Sequence, residues 1–173
     1  LISAVAGAAL LGLTSAAHAE GPSEAQRAQA RGILEHVVNM DTSVEGQRVP
    51  EMAQYLADQF RTAGFPANDI HIVPFEQIHS AALVVRWRGD GTGGRPIMLM
   101  AHMDVVTAHR ADWQRDPFTF VEENSFFYGR GVFDNKAGLS VLVSTLLTMK
   151  AEGFHPTRDL ILVLTGDEET LGI

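Results

Sequence analysis

Two apolar runs, "PIMLMAHMD" at 96–104 and "DLILVLTGDEE" at 159–169, flank a helical stretch, "AGLSVLVSTLLTMKAEG" at 137–153. Each run has the length and apolar content of a buried strand, and each ends in a cluster of polar side chains. Upstream, "SEAQRAQARGILEHVVNM" at 23–40 carries a capping Ser and apolar residues at helical spacing. In "VPEMAQYLADQFRTAG" at 49–64, Met52, Leu56, Phe60 and Ala63 form a stripe, Pro50 suits the first turn and Gly64 the C-terminal cap. Two further strands are expected in "IHIVPFE" and "AALVVRWRG", with "GDGTGG" as a hairpin turn. Strands alternating with helices predict an α/β fold, a mostly parallel sheet flanked by helices.

Composition narrows the function. The 173 residues include 13 Lys and Arg, scattered along the chain, and the net charge is −8, which argues against a nucleic-acid partner. With no cysteine, disulfides, thiol nucleophiles and thiolate-bound metals are excluded, so any metal must be held by His, Asp and Glu. Residues 1–19, "LISAVAGAALLGLTSAAHA", contain no Lys, Arg, Asp or Glu and finish in an A-x-A pattern. They read as part of a signal peptide rather than a stable membrane insertion, which predicts a periplasmic or secreted protein. Residues 20–173 form the remaining unit, without repeats or low-complexity linkers.

The chemistry belongs at the carboxyl ends of the strands, where α/β sheets place their ligands. In strand geometry His102 and Asp104, two positions apart, project together, and a carboxylate beside a ligating imidazole can fix its tautomer. The pair equally fits a capped strand end. Asp167, Glu168 and Glu169 set three carboxylates side by side, a repulsion that a divalent cation would relieve; a solvated acidic loop is the alternative. Asp134, in "YGRGVFDNKAG", stands just ahead of an apolar helix and suits an N-terminal cap. His36, His71, His79, His109 and His155 lack a carboxylate at motif spacing, and "GDGTGG" lacks the Lys-Ser/Thr of a phosphate loop.

Taken in order, "AHMDVVTAHRADWQRDPF", "FFYGRGVFDNKAG" and "LTGDEET" resemble the M20 metallopeptidase and deacylase family over roughly residues 24–173. The family includes glutamate carboxypeptidases, aminoacylases, acetylornithine deacetylase and succinyl-diaminopimelate desuccinylase. The resemblance implies zinc-dependent hydrolysis of a peptide or N-acyl amide bond. His102 would ligate one of two zinc ions, replaceable by Co2+ or Mn2+, Asp134 would bridge them and Glu169 would ligate the second. Glu168 would be the general base and Asp104 the partner of His102. A cis peptide is expected after Asp134, packing roles for Trp113, Pro117 and Phe118, and an ion pair for Arg130. Tyr128, Gly129, Arg130 and Gly131 would shape the approach to Asp134.

The resemblance further implies that 20–173 is the N-terminal portion of a catalytic domain, with the lid or dimerisation domain and the remaining ligands lying beyond Ile173. The stretch alone is therefore expected to bind zinc poorly and not to catalyse. Small peptides or N-acyl amino acids are the expected substrates, and a homodimer the expected state of the whole protein. The rival readings are an M28-type zinc aminopeptidase, a non-catalytic peptide- or metal-binding relative, and a structural α/β module.

Overall fold

The computed structural model describes residues 21–170, so the expected signal segment lies outside the described residues. Three helices, α1 (Glu24–Val38), α2 (Val49–Thr62) and α3 (Ala137–Ala151), accompany six strands. Strands β1 (Ile70–Phe75), β2 (Ser80–Trp87), β3 (Ile97–His102) and β6 (Leu160–Thr165) form one sheet, in the order β1-β2-β6-β3, while β4 (Val121–Glu123) and β5 (Phe126–Tyr128) form a separate hairpin.

Local chemistry explains the helices. Ser23 caps α1 in a reciprocal capping box with Gln26, which satisfies two amides that the first turn leaves without partners. Pro50 enters α2 in its first turn. At the far end of that helix Gly64 takes φ +79°, and the Phe65 N–H turns back to the Phe60 carbonyl at 3.1 Å. Met52, Leu56 and Phe60 are fully buried, as the stripe predicts, and Ala63 is half-buried at its end. In α3, Leu139, Val143, Leu146 and Leu147 turn inward.

The α/β class is as expected, but the strand directions differ from a mostly parallel sheet. β1 pairs with β2 and β2 with β6 antiparallel; only β3 and β6 run parallel. Connection length is the reason. Only residues 76–79 separate β1 from β2, enough for a reversal, whereas β3 reaches β6 through a long crossover containing α3. "GDGTGG" also departs from the expected hairpin turn, because β6 lies between β2 and β3 in the sheet. The loop is pinned instead to the 156–158 segment, with the Asp90 and Gly93 amides donating to the Pro156 and Thr157 carbonyls.

The core forms on one face of the sheet. Leu83, Val85 and Trp87 of β2 pair with Leu164, Leu162 and Leu160 of β6, and this row packs with α2 and α3 residues in one cluster. Each fully buried leucine contributes roughly 1.5–3 kcal/mol. The apolar content of β3 predicts a buried strand. Among the described residues it is an edge strand, and its alternate residues Met98 and Met100 point away from the core, each 59% exposed.

Candidate metal centre

β3 and β6 run parallel, so their polar ends arrive side by side. His102 lies opposite Thr165, and the Met103 amide donates to the Thr165 carbonyl at 2.7 Å. Two buried hydroxyls fix these exits: Thr42 donates to the Met103 carbonyl at 2.8 Å and Ser80 to the Gly166 carbonyl at 2.5 Å. At Gly166 a Cβ would stand 2.4 Å from Val49 Cγ1 and 2.6 Å from the Ala81 carbonyl, so only glycine lets the β6 exit lie this close to α2 and β2.

The third polar segment follows the β4–β5 hairpin, whose turn residues Asn124 and Ser125 both have positive φ. Gly131 has φ +81°, and a Cβ there would stand 2.6 Å from Val105 Cγ1, so the chain can press against the β3 exit before reaching Asp134. Asp134 does not cap α3. Its backbone is non-helical and the Asp134–Asn135 peptide is cis, as the resemblance implies. Its carboxylate Oδ1 lies 3.0 Å from His102 Nε2.

Four of the five expected side chains thus meet at His102. Its Nε2 faces Asp134 at 3.0 Å and Glu168 Oε2 at 4.0 Å, and donor atoms of His102, Glu168 and Glu169 all lie within 4.8 Å of one another. Asp134 is outside this threesome and reaches it through the imidazole. Asp104 departs from its expected contact. The carboxylate Oδ1 is 3.6 Å from His102 Nδ1, too far for a good hydrogen bond, and it is the backbone carbonyl of Asp104 that meets Nδ1, at 3.1 Å. The other carboxylate oxygen, Oδ2, accepts the Glu169 amide at 2.8 Å. Asp104 therefore ties the two strand ends together. The reason is that β3 stops at His102, so strand alternation does not carry through to residue 104.

Electrostatics here favour added positive charge. Burial pushes the His102 pKa down, but the hydrogen bond to Asp134, the Asp104 carbonyl and the Asp104 and Glu168 charges together raise it. Burial, then the negative charges of Asp134, Glu168 and Asp104, raise the Glu169 carboxyl, with His102 opposing. If Nδ1 donates to the Asp104 carbonyl, a neutral imidazole turns its Nε2 lone pair toward a carboxylate oxygen, which is repulsive. A cation among these atoms relieves that repulsion. Imidazole and carboxylate donors without thiolate suit zinc, cobalt or manganese. The residues present fit a divalent metal.

The other assignments divide. Pro117 is buried, Phe118 half-buried, and Trp113 packs under the Arg130 guanidinium at 5.2 Å. Among the described residues Arg130 makes no ion pair, so that stacking replaces the expected one. His36 stacks on Tyr55 at 3.7 Å and His109 lies 3.9 Å from Glu45, so neither joins the centre. Sequence reasoning missed Lys136. Fully buried, it donates to the Met40 carbonyl at 2.7 Å, and burial lowers its pKa to about 7, with Asp41 opposing and Arg48 adding to the shift. It anchors the Asp134 segment to the end of α1. The only signal was a lysine placed where an apolar helix begins.

Residues 98–173 match the profile of peptidase family M20/M25/M40. The chain is 32% identical over 122 residues to the Mus musculus N-fatty-acyl-amino acid synthase/hydrolase PM20D1, covering 70% of this chain and 24% of that protein. It is 31% identical over 113 residues to carboxypeptidase S of Saccharomyces cerevisiae, covering 62% of this chain and 19% of that protein. Among solved structures, the di-peptidase Dug1p of Saccharomyces cerevisiae shares the fold with a TM-score of 0.68 at 21% identity, over 82% of this chain and 32% of that one. The chain thus spans about a quarter or less of the length of the first two relatives.

Proposed function

Because the chain belongs to the M20/M25/M40 peptidase family, we propose that its whole protein is a zinc-dependent hydrolase of peptide or N-acyl amide bonds. The observation that carries this reading is the convergence of His102, Glu168 and Glu169 donors within 4.8 Å, with Asp134 3.0 Å from the imidazole. Three separate segments, the ends of β3 and β6 and the loop before α3, deliver these groups.

His102, Asp134 and Glu169 are the residues that would hold metal. When bound, zinc lowers the pKa of water from about 15.7 toward 7 and polarises a carbonyl oxygen. Glu168, whose side chain is 61% exposed, would take a proton from water and return it to the departing amide nitrogen. Asp104 orients both neighbours, the imidazole through its carbonyl and Glu169 through the amide hydrogen bond. Two four-coordinate zinc ions need about eight donor bonds. The three side chains assigned to metal supply fewer, so residues 21–170 by themselves are expected to bind zinc weakly and not to turn over; a zinc titration of the isolated stretch showing two tight sites overturns this.

The test is hydrolysis of dipeptides, N-acyl amino acids and free-amine aminopeptidase substrates by the whole protein. Activity on the first or second group, lost with a chelator and restored by zinc, supports the proposal; activity confined to free-amine substrates, or indifferent to metal, refutes it. Residues 1–19 are proposed to direct export to the periplasm or medium, and a secreted protein still carrying those residues at its N-terminus contradicts this.

A further inference from the structure

The connection between α1 and α2, residues 39–48, supplies none of the groups assigned to the centre, yet segments that carry those groups are fastened to it. Buried Thr42 donates to the carbonyl of Met103, one residue past His102, at 2.8 Å. Fully buried Lys136, two residues past Asp134, donates to the Met40 carbonyl at 2.7 Å. Asn39 Oδ1 accepts the Phe120 amide at 2.7 Å, just ahead of the β4–β5 hairpin that leads to Asp134. With the 3.0 Å approach of His102 Nε2 to Asp134 Oδ1, the first two bonds close a ring that runs from Met40 to Thr42, Met103, His102, Asp134, Lys136 and back.

A ring fixes a distance only if its links are stiff. Asp41 Oδ1 accepts the Ser43 amide at 3.0 Å and the Ser43 hydroxyl at 2.6 Å, and that hydroxyl accepts the Gly46 amide at 3.2 Å. The Arg48 amide donates to the Asp41 carbonyl at 3.2 Å. Gly46 packs so closely that a Cβ there would stand 2.2 Å from the Asp41 carboxylate carbon. Thr42 and Lys136 make their bonds where water does not compete, so removing either donor leaves a buried carbonyl without its partner.

Resting on the metal-dependent reading, we propose that residues 39–48 act as a bracket that sets the spacing of His102 and Asp134. Thr42 and Lys136 are then positioning residues, acting on the centre through the backbone. Ligands held in advance at their working distance do not have to be ordered when metal binds. Releasing either attachment frees the spacing, so the two losses do not add. Two independent local anchors give additive losses instead, as separate sites without a shared partner do.

The experiment uses the whole protein and its T42V, K136M and T42V/K136M variants, with T42S as the variant that keeps the hydroxyl. Zinc affinity is measured by chelator competition, and amide hydrogen exchange on the metal-free proteins. The expected result is about ten-fold weaker zinc binding in each single variant, a double variant within about three-fold of the weaker single one, and T42S close to the wild type. Exchange should show cross-talk. T42V speeds the Lys136 amide, which donates to the Gly131 carbonyl, and K136M speeds the Met103 amide, while the amides of β2 stay as in the wild type. Losses that add, or exchange that rises only beside each substitution or equally across the sheet, overturn the proposal. Should K136M fail to fold, T42V decides through the Lys136 amide alone. A wild type that takes up no zinc sinks the metal-dependent reading, and the exchange measurement then decides the bracket by itself.

Discussion

Replacing Asp104 with Asn tests the way the two strand ends are joined. The side chain is almost completely buried, with Oδ1 3.6 Å from His102 Nδ1 and Oδ2 bound to the Glu169 amide at 2.8 Å. Asn keeps the shape, and its carbonyl oxygen can still accept from Glu169. What it removes is a negative charge. At 3.6 Å a unit charge pair in an effective dielectric of about 20 interacts by about 5 kcal/mol, an upper bound because an imidazole that holds metal is neutral. Desolvation and rearrangement offset most of this, leaving the 10–100-fold, or roughly 1.4–2.7 kcal/mol, typical of removing a residue that supports a metal ligand. Asp104→Ala should lose more, because it also strands the Glu169 N–H. The assay is competition for zinc against a chromophoric chelator, with melting of the metal-free proteins to separate affinity from stability. An Asn variant that binds zinc within two-fold of the wild type refutes the claim that this charge supports the centre.

Glu168→Gln in the whole protein should lower kcat by about 10²–10⁴-fold while retaining zinc, and a variant keeping most of its activity by steady-state kinetics removes Glu168 as the proton carrier. Asp134→Ala, which takes away the carboxylate 3.0 Å from His102, should reduce the bound metal; elemental analysis giving an undiminished zinc content counts against the bridging role. Gly166→Ala forces a Cβ to within 2.4 Å of Val49 Cγ1 and should destabilise the fold by about 1–3 kcal/mol in denaturant titrations, with an unchanged midpoint contradicting the close packing.

The sequence by itself determined the elements and the chemistry available to them. The capping Ser23 and the Met52-Leu56-Phe60 stripe are written in local spacing, because a helix repeats every 3.6 residues. The donor set was equally legible, since a chain without cysteine can offer a metal only imidazole and carboxylate. Tertiary structure decided the rest. Whether β2 and β6 run antiparallel depends on which strand is inserted between which, and that choice is made by connections and packing tens of residues apart. The exposure of Met98 and Met100 follows from which face of the sheet the helices cover, and the burial of Lys136 from the carbonyl of Met40, 96 residues away in sequence. Asp104 illustrates the division most sharply. Its proximity to His102 is a matter of two residues, but which of its oxygens meets the imidazole and which holds Glu169 turns on half an ångström, a distance fixed only once β3 and β6 lie side by side.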